Sequence, residues 1–217
     1  MPLVDLSHDI RPGMFTHPGL PGPVTAPFRS RAEFEAAHGT TFQVDRIELV
    51  GNTGTYVDSP FHRFADGADL AAIPLAALAD LPVLVVDAPA RAVDAARLRD
   101  ELGETDLAGT AVLLRTGGDA GWGGPEYAWD APFLTADGAA WLADRHPALV
   151  GIDSVNIDDL DDGSRPAHTT LLRAGVLILE HLTGLGALPA RGARLHAAPP
   201  AWHGVGTWPV RAYAVVP

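Results

Sequence analysis

The sequence predicts a mixed α/β fold, a single domain over residues 1–217, and three observations predict it. The chain has 217 residues, enough for one sizeable core without a second domain. Hydrophobic residues make up 47% and charged residues 19% of it, so it folds around a core rather than staying disordered. Strand-like and helix-like segments alternate through the middle, with further strand-like segments at both ends.

In order, Leu3–Ile10 predicts a first strand, and RPGMFTHPGLPGPVTAP after it is too proline-dense for helix. Arg31–His38 suits a short helix. Thr41–Val50 alternates, but Phe42 and Val44 share one parity while Ile47 and Leu49 share the other, which predicts a bulge at Asp45-Arg46. An Ala/Leu segment with Pro74 near its start leads to a buried strand, Val83–Asp87. Val93–Leu102 predicts a helix, Ala111–Arg115 a strand, and Gly117–Pro132 a loop rich in Gly, Trp and Tyr. Thr135 can cap a helix running to about Arg145. Ala148–Asp153 and Val176–Glu180 read as buried strands, with a short helix near Pro166–Arg173 between them. Two more strands close the chain, the last at Val210–Val216.

Composition narrows the function. A net charge of −12 argues against nucleic acid or an anionic membrane as partner, since both need clustered basic residues. The absence of cysteine removes disulfides, Cys-ligated zinc, iron–sulfur clusters and thiol nucleophiles. MPLVDLSHDI lacks the pattern of a secretion signal, and the apolar runs are strand-sized, so a cytoplasmic protein is expected.

The stretch Gly51–His62 carries the candidate chemistry. Asn52, Gly54, Tyr56, Asp58, Pro60 and His62 share parity, so extended chain would gather Tyr56, Asp58 and His62 on one face. The same residues also suit a plain turn, with Asp58 bonding backbone N–H groups before Pro60. Glu180 ends the apolar run Val176–Leu179, where a carboxylate is costly unless it is paired, for instance with Arg211, or binds a metal. His168 sits on a predicted helix whose other face carries Leu171 and Leu172. It is either a ligand or a satisfied, partly buried histidine.

Order and context add to this. The Asp5-Leu6-Ser7 start, the Met14–Gly19 loop, Thr53–His62, the ALVGID strand, His168-x-x-Leu-Leu, Ile178-Leu179-Glu180-x-Leu182 and Pro209-Val210-Arg211-Ala212 follow one another along nearly the whole chain. In these the chain resembles the bacterial cyclase and kynurenine formamidase (arylformamidase) family of metal-dependent hydrolases, whose central motif is His-x-Gly-Thr-His-x-Asp-x-Pro-x-His. The resemblance implies a swivelling β/β/α fold with a barrel-like mixed sheet, and a homodimer or homotetramer. It also implies that Asp58 and Glu180 bridge metal ions, that His168 is a metal ligand, and that His62 is the general acid/base. His17 falls where kynurenine formamidases carry a substrate-contacting tryptophan.

The sequence departs from the motif at Asn52 and Tyr56, which replace two first-metal histidines. An amide is a weak ligand, and a phenol ligates well only as phenolate, which its reference pKa of about 10 makes costly. Three outcomes stay open. One divalent metal, zinc or manganese, is held by Asp58, His168 and Glu180. Or a harder ion binds with Asn52 and Tyr56 as weak ligands. Or no metal binds. The expected substrate is a small carbonyl compound contacted by His17 and Tyr56. The expected activity is hydrolysis of an amide, formamide, lactam or lactone. The alternative is a metal-free cyclase or lyase, or a binding protein without turnover. Trp122, Tyr127 and Trp129, and likewise Trp202 and His203, either wall the pocket or staple loops to the core.

Overall fold

The computed structural model describes the backbone of residues 1–217 and every side chain except that of Pro125. Thirteen strands form in chain order: β1 (Leu3–Asp5), β2 (Val24–Arg29), β3 (Val44–Glu48), β4 (Tyr56–Asp58), β5 (Ala79–Asp87), β6 (Ala92–Val93), β7 (Ala111–Arg115), β8 (Phe133–Leu134), β9 (Leu149–Ile152), β10 (Leu177–Glu180), β11 (Arg191–His196), β12 (Thr207–Pro209) and β13 (Tyr213–Val215). Four α-helices join them: α1 (Arg31–His38), α2 (Ala95–Leu102), α3 (Ala136–Ala143) and α4 (Pro166–Arg173).

Nine strands make one mixed sheet in the order β1-β13-β11-β5-β7-β9-β10-β4-β12. Its centre, β5-β7-β9-β10, is parallel, and the strands outside that centre pair antiparallel. The central strands are apolar on both faces, as parallel strands covered on both sides must be. On one face Val112, Leu114, Val150, Ile152 and Ile178 meet α2, α3 and α4 through Leu98, Leu142 and Leu171. On the other, Leu113, Leu149 and Leu179 share a cluster with Leu6, Val57, Leu195 and Ala214 from the outer strands. Residues from both ends of the sheet can meet its centre only if the sheet curls into a half-barrel, which the strand twist favours.

Several expectations hold to the residue. Helix α1 occupies Arg31–His38, with a capping box in which the Ser30 side chain accepts from Glu33 N and Glu33 bonds back to Ser30. Strand β7 and helix α4 also match, and Thr135 caps α3. Others change. The first strand stops at Asp5, because Ser7 turns to bond Ala212. The end of the proline-rich segment is strand β2, paired with β3. The bulge lies opposite Asp45, but the extra residue is Phe28 on β2. Three strands, not two, close the chain.

The β2–α1–β3 arm stands off the sheet, with no buried residue in any of its three elements. Phe28 is 67% and Ile47 64% exposed. No helix among the described residues is long and apolar enough to cross a membrane.

Candidate active site

The site lies where the carboxyl ends of β9 and β10 meet β4, the region in which open α/β sheets bind ligands. Register builds it. Antiparallel pairing sets Glu180 opposite Tyr56 on one side of β4, and Thr207 opposite Asp58 on the other. Directly opposed residues put their side chains on the same face within reach of each other. The fully buried Tyr56 hydroxyl accordingly donates to Glu180 Oε2, and the Thr207 hydroxyl donates to Asp58 Oδ1.

The motif is not one extended run. Gly54 has φ 65°, and after Asp58 the chain enters a 3-10 turn over Pro60–His62. That turn folds His62 back over Asp58, with His62 Nδ1 3.8 Å from Asp58 Oδ1 and 2.7 Å from Thr207 Oγ1. Gly206 permits it, because a Cβ there would collide with the backbone of Phe61 and His62. A hydroxyl has one proton, and Thr207 gives it to Asp58. The His62–Thr207 bond therefore uses the proton of Nδ1–H, which leaves the His62 Nε2 lone pair free.

Residue His168 enters from the first turn of α4. Asp158 holds that turn, accepting from Ala167 N at 2.5 Å and His168 N at 3.1 Å, and it also binds His168 Nδ1 at 2.6 Å. A buried carboxylate there satisfies orphan amides and the helix dipole together. With Nδ1 so engaged, His168 Nε2 faces Asp58 Oδ2 at 3.7 Å and Glu180 Oε1 at 3.6 Å. Glu180 Oε1 also accepts from Ile157 N at 2.6 Å.

The charges are tightly linked. Burial alone would neutralise His168, but the hydrogen bond to Asp158 and the nearby carboxylates of Asp58 and Glu180 overcome it and lift the imidazole to about 10. Burial likewise raises Glu180, to about 7, with Asp58 adding to the rise and His168 opposing it. For Asp58 burial works against the charge, yet His62, His168 and Thr207 outweigh it and hold the carboxyl below its usual range. Burial, with Glu180 and Asp58 nearby, pushes the Tyr56 phenol far up.

A cation fits one part of this cluster. Asp58 Oδ2 is fully buried and has no hydrogen-bond partner, although it faces His168 Nε2 beside Glu180 Oε1. Such an orphan is costly unless a cation or water completes it. Asp58, His62 and His168 can also each offer a ligand atom with all such atoms within 4.8 Å of one another. On the other side the Tyr56 hydroxyl is a donor to Glu180, and Asn52 lines the same cavity. The Tyr56 hydroxyl is thus engaged by a carboxylate rather than open toward an ion.

A cavity of about 310 Å³ opens above, lined by His17, Asn52, Tyr56, His62, Asn156 and His168 together with Arg63, Arg165 and the Pro18–Leu20 backbone turn. The expected residues Asp58, His62, His168, Glu180, Tyr56 and His17 thus come to one place. Glu180 does not pair with Arg211, which bonds the exposed Asp5 at 2.6 Å on the far edge. The aromatic residues do not line the cavity. Trp122 stacks on His8, Tyr127 bonds the buried His181, Trp129 is 70% exposed, and Trp202 packs on Trp208. Sequence reasoning missed Asp158 and Thr207. Asp158 had a faint signal, an acidic residue in a polar run directly after a buried strand. Thr207 had none.

Fold and site together define an α/β protein whose strand ends carry a buried carboxylate–imidazole cluster able to hold a cation. Comparison with known proteins sharpens that class. The sequence profile of the Cyclase family matches residues 4–159. A kynurenine formamidase of Bacillus mycoides (strain KBAB4) is 31% identical over 186 residues, 82% of this chain and 81% of that protein. The crystal structure of an isatin hydrolase bound to the product analogue thioisatinate superposes with a TM-score of 0.82 at 26% identity, covering 99% of this chain and 92% of that one. A structure described as a potential metal-dependent hydrolase with cyclase activity gives a TM-score of 0.79 at 27% identity, over 98% and 96% of the two chains. The chain belongs to the Cyclase family.

Proposed function

We infer that the protein is a metal-dependent hydrolase that cleaves a C–N bond (amide, formamide or lactam) or a lactone. It holds one divalent ion through Asp58, His168 and Glu180, and His62 is its general acid/base. The observation that carries this reading is the buried, partnerless Asp58 Oδ2 facing His168 Nε2 beside Glu180 Oε1. The relatives named kynurenine formamidase and isatin hydrolase support it, since both names denote hydrolases.

The divalent ion, when bound, supplies polarisation of a carbonyl and a more acidic water. The chain's own residues do the rest. Asp158 orients His168 so that Nε2 is the ligating nitrogen. Tyr56 donates to Glu180 Oε2, and Oε1, which accepts from Ile157 N and lies beside His168 Nε2, is the oxygen that would hold the ion. The Asp58–Thr207–His62 chain keeps a proton on His62 Nδ1, so Nε2 takes a proton from water and returns it to the leaving nitrogen or oxygen. His17 and Tyr56 line the cavity beside it and contact the substrate.

The test is elemental analysis of tag-free protein prepared without chelator and supplemented with zinc or manganese. It is joined to turnover assays on formanilides, lactams and lactones. About one equivalent of metal, and activity lost in His62→Ala, are expected. Under a tenth of an equivalent would remove the metal. Unaltered turnover in His62→Ala would remove the acid/base role.

For quaternary structure, the exposed β2–α1–β3 arm supports a homo-oligomer in which a second copy covers Phe28 and Ile47.

A further inference from the structure

Two guanidinium groups at the cavity mouth have no part in that chemistry. Arg63 follows His62 directly, and Arg165 is the residue before α4; both line the cavity. The chain has no lysine, so all 15 of its basic residues are arginine. Several of these pair with carboxylates, as Arg115 does with Asp87 and Arg194 with Asp80. Arg63 and Arg165 have no carboxylate partner among the described residues and donate to neutral groups instead. Arg63 Nε reaches Thr169 Oγ1 at 3.2 Å and its NH2 reaches Ser164 O at 3.2 Å. Arg165 NH1 reaches Asp159 O at 2.8 Å.

A guanidinium has five N–H donors, so each arginine is anchored and still has donors to offer. Arg165 is also held at φ 51° and ψ 60°, a left-handed conformation that a non-glycine residue enters only at a cost. The remainder of its fixation comes from Asp158, which pins the turn that follows.

The two ends of the cavity therefore differ in charge. The exposed Arg63 and the half-buried Arg165 line its outer part, while the carboxyl groups of Asp58 and Glu180 lie buried behind His168 and Tyr56 at its floor. A ligand with an anionic group enters with that group outward and its neutral end toward the floor. We propose that Arg63 and Arg165 form a carboxylate subsite, and that the substrate is a carbonyl compound bearing a carboxylate on the side away from the bond that is cleaved. This rests on the hydrolytic reading of the floor for the reaction, but not for the binding.

The test compares 3-formamidobenzoate with formanilide, two formamides that differ only in the carboxylate. In metal-supplemented protein, kcat/KM is expected to favour the anionic compound at least tenfold. That ratio is expected to drop about tenfold in Arg63→Gln and in Arg165→Asn, whose asparagine tolerates the left-handed backbone, and to recover partly in Arg63→Lys. Calorimetry with 3-aminobenzoate and aniline on the His62→Ala protein reads binding without turnover, and the arginine substitutions are expected to weaken only the aminobenzoate. A ratio that stays within twofold of the parent in both variants, or aminobenzoate binding that ignores both arginines, overturns the proposal. Arg-dependent aminobenzoate binding without hydrolysis of either formamide upholds the subsite and overturns the hydrolase reading instead.

Discussion

Replacing Asp158 by asparagine isolates the group that aims His168. The carboxylate is fully buried on its side chain, and it accepts three hydrogen bonds, from Ala167 N, His168 N and His168 Nδ1. Asparagine keeps one acceptor oxygen and puts an NH2 group where the second carboxylate oxygen stood. If the amide oxygen caps Ala167 N, the NH2 group meets His168 Nδ1, and the bond survives only with the imidazole in the other tautomer. Hydrogen bonds to a charged group contribute about 1.5–3 kcal/mol each, and one is lost outright while the others weaken. The expected destabilisation is about 2–4 kcal/mol. At about 2–4 °C per kcal/mol for a chain of this size, Tm falls by roughly 4–16 °C. The second effect is on the ion. With Nδ1 no longer the protonated nitrogen, Nε2 carries the proton and ceases to be a ligand, so metal affinity falls about 10–100-fold, as for other partners of ligating histidines. Thermal melts of chelator-treated protein read the first effect, and competition against a zinc chromophore reads the second. A Tm within about 1 °C of the parent, or unchanged affinity in a folded variant, would refute the assignment of Asp158 as the residue that orients His168.

Three other outcomes are expected. Thr207→Val removes the hydroxyl between Asp58 and His62, so kcat should fall about 10–100-fold with KM little changed, as loss of an oriented acid/base group requires; steady-state kinetics that show a loss under twofold would remove Thr207 from the chain of proton-holding groups. Asn52→His combined with Tyr56→His restores the family motif and takes the phenol donor from Glu180, so the metal content found by elemental analysis should rise from about one equivalent toward two, and a value fixed at one would show that these positions do not limit the site. Phe28→Ser with Ile47→Ser makes the exposed arm polar, so sedimentation should show the proposed homo-oligomer in the parent and a monomer of unchanged melting behaviour in the variant; a monomeric parent, or an oligomer unchanged by the substitutions, would refute the role proposed for the arm.

Local chemistry made much of this protein legible. Arg31–His38, Ala111–Arg115 and Pro166–Arg173 were readable because each is decided by neighbours in sequence: a capping serine and glutamate, an unbroken apolar run, a proline at the first helical position. The residues Asp58, His62, His168 and Glu180 stood out as candidates by chemical type, but residue type and spacing left a plain turn and satisfied or paired side chains open, and it was the resemblance to a family motif that drew the four together. The departure at Asn52 and Tyr56 was visible against that same motif.

Only the tertiary structure decided what those residues do to one another. Tyr56 meets Glu180 because β4 and β10 pair in one register, and a shift by one residue would turn the phenol to the opposite face. Thr207, 145 residues from His62, reaches it because β12 lies beside β4 and Gly206 allows the close approach. Arg211 was free on paper to pair with Glu180 and instead lies at the other edge of the sheet, against Asp5. The physical reason is the same in each case. Residue type and short-range periodicity set what a side chain can do, but partners far apart in sequence are chosen by strand order and register, which depend on burying the whole sheet at once.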